Sequence, residues 1–524
     1  MKIKKTFLFY TIFLFLSLSS VCGQSIFTAN GFECEMMRDS TLIISRKPCP
    51  YFMEENIDSV FRIPSAIEYE GKTYQVSRIA QRGFAGNADI KHLVIDEGIK
   101  QIHEEAFSSC INLQSIRIPA SIVNIEELIF DNCYNLESII VDPANEDYDS
   151  RDNCNAIIET GREMLIAACF QSRIPSGIAT IGVGAFTNCL NLQKITIPEG
   201  ITRIEDLAFS ECENLESISL PQSLEYVGQY VFRGCTSLQS IIIPKNVKKI
   251  IYGGLFCNCN QLKSLAVEAG NKVYDSRQNC NAIIETENNK LVTACVGTRL
   301  VEGIQEIGEH AFEGLPLYSV HIPQTVMKIG HGAFFQCNKL MSITVDEKNP
   351  FYTSPTGSNA ILSKDTKTLV LGCAGTVIPE GIVKIGKCAF SGNEVPTKTL
   401  FLPEGIKVIR EFAFSQCSNL QMVVIPSSVE SIEDWAFSSC PNLNIVQFKG
   451  GSKNIDSSAF FNSKRLAVVD LPKGITTIGY STFAGCTNLH SVSIPSSLIE
   501  IRHGAFEDCP CEKEVLQMIQ KKIE

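Results

Sequence analysis

The cysteines are the side chains with the widest chemical range in this sequence. The chain has 524 residues and carries 22 of them. Eleven stand three residues after a phenylalanine: Cys110, Cys133, Cys189, Cys212, Cys235, Cys259, Cys337, Cys417, Cys440, Cys486 and Cys509. Thiols at a fixed spacing suggest metal ligation or a redox array. A metal site needs ligands that converge on one point, whereas this spacing hands out one sulfur per repeat. The better reading is a small buried residue with a weak donor, packed in register along a stack. Two C-x-C pairs, Cys257-Asn258-Cys259 and Cys509-Pro510-Cys511, lack a second pair at zinc spacing.

Other candidates for chemistry fare no better. Glu146, Asp147, Asp149 and Asp152 cluster as calcium ligands do. No glycine marks the sharp turn, however, and no bidentate glutamate follows at the right distance. They read as a solvated turn. The seven histidines (His92, His103, His310, His321, His331, His490 and His503) include no H-E-x-x-H. Neither a nucleophile elbow, a phosphate loop nor a dinucleotide fingerprint is present. The sequence assigns no catalytic, cofactor or metal residue, and the chain reads as a non-enzyme.

The phenylalanines that precede those cysteines reveal the elements that hold them. Phe84, Phe107, Phe130, Phe186, Phe209, Phe232, Phe256, Phe312, Phe334, Phe390, Phe414, Phe437, Phe460, Phe483 and Phe506 are mostly 22 to 24 residues apart. Three gaps of 56 are one period of 23 plus an insertion of 33. A fixed period of this length means a stacked solenoid. One unit runs from Ile99 through Ala106-Phe107, Cys110, Leu113, Ile116 and Ile118 to Pro119. Ile116 and Ile118 alternate inward while Arg117 points out. Proline lacks the donor that would extend the strand and so ends it. The segment from Ile102 to Cys110 predicts a short strand and a helical turn on the opposite wall. The fold class is therefore a β-rich leucine-rich-type solenoid of parallel strands and short helical turns, with about 15 repeats of 23 residues. One ring per coil predicts a continuous aromatic spine.

The three insertions, near 142–175, 268–300 and 346–379, resemble one another. Tyr148-Asp149-Ser150-Arg151, then Asn153 to Thr160, returns as Tyr274-Asp275-Ser276-Arg277, then Asn279 to Thr286; the third copy is looser. Each predicts a β-hairpin added to the edge of one coil. Cys154 and Cys169 are symmetric about the first turn, and Cys280 and Cys295 about the second, so each pair is a disulfide candidate. Residues 24–75 lack the repeat and predict a β cap with a hairpin at Asn30-Gly31. Cys34 and Cys49 within it are a third candidate pair. Residues 76–510 form the repeat region, and 511–524 predict a helical tail. Residues 1–23 read as a secretory signal cleaved after Gly23: basic Lys2, Lys4 and Lys5, then a short apolar run. Lipidation at Cys22 is the rival, disfavoured by the bulk of Val21. The expected location is secreted or cell surface.

Net charge is −11 and the pI about 5.4, which argues against nucleic acid or anionic membrane as partner. No further stretch is long enough to span a membrane. The expected partner is a protein or glycan, met by a monomer. The outward residues of the strands form the candidate binding wall: Arg117, Ile140, Ile242, His321, Phe401, Val424, Gln447 and Asp470. Phe401 and Val424 read as adjacent exposed apolar residues. A neighbouring serine column (Ser115, Ser138, Ser217, Ser240, Ser264, Ser319, Ser342 and Ser491) reads as a hydroxyl ladder across adjacent strands.

The template I-x-x-I-x-x-x-A-F-x-x-C-x-N-L-x-x-I-x-I-P resembles the BspA-like leucine-rich repeats, also called the Treponema pallidum type. It fits Ile102 to Pro119, Ile409 to Pro426 and most units between Val76 and Cys509. The resemblance implies a right-handed, curved β-rich solenoid, export or surface display, and adhesion to host proteins or other cells, so that the expected partners are host or bacterial surface proteins or glycans. It carries over no binding residue and no cofactor. It leaves an alternative open, a structural cell-envelope component without a soluble ligand.

Overall fold

The structure, a computed structural model, describes residues 26–46, 60–451 and 454–523. The expected signal peptide, Cys22 and Cys49 lie outside the described residues. Every coil is built alike. A front strand such as Ser115–Ile118 buries Ile116 and Ile118 and exposes Arg117. A two-residue back strand such as Asn124–Ile125 follows, and then a turn that carries the phenylalanine. Front strands pair in parallel one period apart, as Ser115 with Ser138. Back strands do the same, as Gln101 with Asn124.

The turn wall forms a third ladder and is tighter than regular helix. Residues two before and two after each ruler phenylalanine hold left-handed backbone, as at Phe412 (φ 56°) and Gln416 (φ 59°) around Phe414. That geometry aims three amides at the next coil. The N–H groups of Phe412, Phe414 and Gln416 donate to the carbonyls of Asp434, Ala436 and Ser438 at 3.1, 2.7 and 2.9 Å. These bonds offset a strain of about 1–2 kcal/mol for a bulky left-handed residue. The cysteines add a fourth file. Ten of the eleven thiols donate to the carbonyl of the preceding coil's phenylalanine, as Cys110 to Phe84 at 3.2 Å and Cys440 to Phe414 at 3.1 Å; Cys189, which follows the first hairpin, does not. Ser463 stands in the same place and donates to Phe437 at 3.0 Å. Burial pushes these thiols up, to about 12 for Cys110 and Cys440. Packing, with a weak donor, is thus the role the structure gives the recurring cysteines.

The aromatic spine is not continuous. Rings stack face to face in four files: Phe84 to Phe130, Phe186 to Phe256, Phe312 with Phe334, and Phe390 to Phe506. Centroids within the last file lie 5.0–5.3 Å apart. Among the described residues no ring contact crosses from one file to the next. Both strand walls break at the same three places. The cause is the inserted hairpins. They do not hang from an edge; they lie within the stack, buried on both faces. Ile157, Ala167 and Cys169 of the first hairpin join the core that holds Phe84, Phe107 and Phe130. Ala156, Ile158 and Leu165 join the core that holds Phe186 to Phe256. The second and third hairpins divide the later cores in the same way.

This placement overturns the paired-cysteine expectation. Cys154, Cys169, Cys280 and Cys295 are all free; the Cys34–Cys49 candidate falls partly outside the described residues. Glu159 pairs with Met164 and Ile158 with Leu165, the register that sets Cys154 opposite Cys169. A bulge then shifts the register, and Ala156 faces Ala168. One residue of slip turns a side chain to the other face of the sheet. Cys154 accordingly packs in the later core and Cys169 in the earlier one. The bulge recurs between Ile283 and Ile284, and Cys280 and Cys295 are separated likewise.

At the start of the stack, Asn30 (φ 52°) and Gly31 (φ 79°) make the tight turn of a hairpin. Phe32 and Phe61 pack edge-on against Phe84 at 6.2 and 5.9 Å. At the far end, helix Glu512–Ile523 follows Cys511, whose N–H donates to Leu489. Cys511 and Val515 are buried in the last core.

Candidate binding wall

Each hairpin must seal the coil it interrupts, because a broken ladder leaves buried N–H and C=O groups without partners. Three side chains at a fixed spacing do this. In the first copy they are Asn145, Tyr148 and Asn155. The Asn145 amide donates to the carbonyls of Pro119 and Ile122 at 2.9 and 3.0 Å. The Tyr148 hydroxyl accepts from the Ile125 N–H at 2.8 Å and closes the back wall. Asn155 accepts from the Ile139 N–H and donates to the Glu137 carbonyl, both at 2.7 Å, and closes the front wall. Its amide thereby mimics a strand of one residue. Asn271, Tyr274 and Asn281 repeat these bonds, as do Asn349, Tyr352 and Asn359. Burial pushes the three tyrosine hydroxyls up.

The front wall is therefore four panels rather than one column. Arg117 and Ile140 are neighbours on the first panel, and Ile242 stands on the second. His321 stands on the third, with its Nδ1 2.9 Å from the Thr344 hydroxyl. Phe401, Val424, Gln447 and Asp470 follow in register on the fourth. Ile242 is 62% exposed and Phe401 69%. Arg117, His321, Gln447 and Asp470 are exposed. Val424 is a correction: it is 4% exposed, not a surface residue. It lies in register between Phe401 and Gln447, and these longer side chains leave a short branched one little access to water. The serine column is a second correction. Among the described residues no hydroxyl–hydroxyl bond joins neighbouring serines in it; Ser115 bonds the His92 ring at 2.8 Å instead.

Reading only the alternate positions of the strands missed Tyr318 and Met341. They precede two adjacent third-panel strands, and the Met341 N–H donates to the Tyr318 carbonyl at 3.0 Å. Tyr318 is 70% exposed. Their spacing of 23 was the available signal.

Where the first panel meets its hairpin there is a cleft of about 750 Å³. Arg117, Ile140, Asp142, Asp149 and Arg151 line it, so two of the expected wall residues share one concavity. The Ala144 amide, and then Arg117 at 2.9 Å, hold Asp142 below the usual carboxylate range. Partial burial pushes Asp149 up, but the paired bonds from Arg151 outweigh it and hold this carboxyl low as well. Both acids are thus committed to arginines. Among the described residues no group of three metal-ligating side chains gathers, and no helix is long and apolar enough to cross a membrane.

A family profile described as the BspA type leucine rich repeat region matches residues 71–154, 169–283, 296–360 and 383–513. Among solved structures, a leucine rich cell surface protein from Faecalibacterium prausnitzii is 22% identical, with 93% of each chain covered and a TM-score of 0.35. A leucine-rich repeat protein from Bacteroides ovatus is 24% identical, with 92% of each chain covered and a TM-score of 0.31. The pneumococcal vaccine antigen PcpA is 18% identical, covering 92% of this chain and 87% of its own, with a TM-score of 0.30. No curated protein matches the chain.

Proposed function

Because the chain belongs to the BspA-type leucine-rich repeat family, we propose that it is an exported binding protein that recognises surface proteins or glycans through its front wall. One observation carries this reading. Large apolar side chains stand exposed on every panel, at Ile140, Ile242, Tyr318, Met341 and Phe401. A solenoid has no packing need for them there, since its core is filled by the inward positions of the same strands. Exposed apolar groups within a polar surround mark contact surfaces, and extended solenoid walls commonly bind. The surrounding serines, threonines and His321 supply hydrogen bonds without a net charge.

Purified extracellular-matrix proteins and surface glycans, immobilised as an array, test this reading. The protein is expected to be retained by at least one member. Phe401→Asp or Ile242→Asp should weaken retention roughly tenfold, the loss of one well-placed apolar contact. Retention by no member, or equal retention by both variants, would refute it.

A further inference from the structure

The three hairpins differ in one respect that bears on binding. Each front panel ends in a strand whose outer edge carries free backbone groups. On Ser138–Val141 the N–H groups of Ser138 and Asp142 donate to Gln114 and Ile118 of the strand behind. By alternation, Ile139 and Val141 direct their N–H and C=O groups outward. Asn155 takes the Ile139 N–H. In the second hairpin the equivalent of Val141 is Val267, and the Ser276 hydroxyl accepts its N–H at 3.0 Å. In the third, the equivalent of Ile139 is Ile343, and the Ser354 hydroxyl donates to its carbonyl at 3.2 Å. The first hairpin has a serine at this place too, but Ser150 is turned inward. Its hydroxyl faces the Cys154 sulfur at 3.6 Å and the Ala156 N–H at 3.4 Å. Among the described residues, the Ile139 carbonyl and the Val141 N–H then have no partner. Both residues line the 750 Å³ cleft.

From this geometry we infer that the cleft takes an extended polypeptide segment, which adds to the outer edge of Ser138–Val141 as one more strand. An acceptor and a donor on alternate residues of a strand edge present the pattern that another backbone answers. The cleft is wide enough, being of the size that binding sites usually have. Arg117 and Arg151 are already paired with Asp142 and Asp149, Glu137 adds a single negative charge to the lining, and the backbone supplies the recognition. Ile140 and Pro143 beside the edge offer apolar contact to alternate side chains of the incoming segment. The inference deepens the front-wall reading and rests on it.

The probe is a fluorescent synthetic peptide of residues 237–246, SLQSIIIPKN, a segment that forms a front strand in this protein. Binding to the full chain is read by anisotropy. Saturable binding is expected. It should weaken roughly tenfold when the peptide carries N-methyl groups at alternate backbone nitrogens, which remove its donors. Gln171→Trp fills the mouth of the cleft from an exposed position and should weaken binding to a similar extent. Hydrogen exchange over residues 136–143 should slow when peptide is bound. A peptide that fails to bind, that is indifferent to N-methylation, or that binds Gln171→Trp equally well overturns the inference. Array retention that Phe401→Asp abolishes and Gln171→Trp leaves intact would sink the edge site alone and leave the wider reading standing.

Discussion

Asn281 offers the sharpest test of how the solenoid survives its interruptions. Its side chain accepts from the Leu265 N–H at 2.7 Å and donates to the carbonyls of Lys263 and Val296 at 2.8 and 3.3 Å. Its own backbone is left-handed, at φ 60°. Asn281→Gly removes all three bonds, though the Val296 carbonyl keeps the Cys295 thiol as a partner, and it leaves the backbone free to hold that angle. Two backbone groups then lose their partners at about 1–3 kcal/mol each. Leu265 is buried, so its N–H is the costlier loss. A total near 2–4 kcal/mol follows, and it should be local. Hydrogen exchange at residues 263–267 is expected to speed up about 30-fold or more, while the Phe414–Phe506 region stays unchanged. Asn281→Asp separates the accepted bond from the donated ones. The carboxylate still accepts from Leu265 but meets the Lys263 carbonyl without a proton to give. Its folded pKa should therefore lie above its unfolded value. Stability is full below the unfolded pKa, about 4, and falls as pH rises through the folded one. The Asp variant should approach wild type near pH 4 and resemble the Gly variant at pH 8. If Asn281→Gly changes exchange less than twofold, or the Asp variant shows no pH dependence, side-chain sealing of the strand wall is wrong.

Two further outcomes follow from the files of the stack. Phe437 is fully buried, with rings 5.0 and 5.3 Å away on either side. Phe437→Ala should cost about 3–5 kcal/mol in urea unfolding, and a loss under about 1 kcal/mol would contradict the load assigned to the ring file. The thiols of Cys110, Cys440 and Cys486 are raised by burial from 9.0 to about 12. A raised folded pKa gives stability that is complete below pH 9 and lost as pH climbs towards 12. Because its bond with Cys509 holds the Cys511 thiol low, the readout is the difference made by Cys440→Ser: it should remove no thiolate absorbance from the native protein up to pH 11 and should remove some near pH 9 in urea; a native difference near pH 9 would refute the buried file.

The parts of this architecture that depend on one coil repeating the next were legible in the sequence. The ruler phenylalanines, the inward isoleucines and the closing prolines each follow from a period of 23, and the coils they predict are present. What depends on a register offset was not. Cys154 and Cys169 look symmetric because counting outward from a turn assumes an unbroken ladder. A single bulged residue, Ile166, defeats the count, and nothing in the side-chain pattern announces it. The seals were readable in principle, since Asn145, Tyr148 and Asn155 recur at the same spacing as Asn271, Tyr274 and Asn281. Val424 shows the other limit: alternation says which way a side chain points, while exposure also depends on the length of its neighbours.

The hairpins bear on function because of what they do to strand edges. An uninterrupted solenoid has an edge only at each end, and every internal front strand has both sides paired. Inserting a two-faced hairpin opens an internal edge, and open edges invite unwanted pairing. Here asparagine amides cover the first half of each edge with two hydrogen bonds. A serine of the hairpin meets one further group on the second and third panels. On the first it is diverted to Cys154 and Ala156. The same insertion thus gives two edges with one of these groups met and one edge with both an acceptor and a donor facing a cleft. The size of the insertion is nearly constant across the three copies, so the difference lies in the rotamer of one hydroxyl and the space beside it. A repeat protein can in this way carry a distinct site without departing from its repeat, because the site is formed by the break in the ladder rather than by the coils themselves.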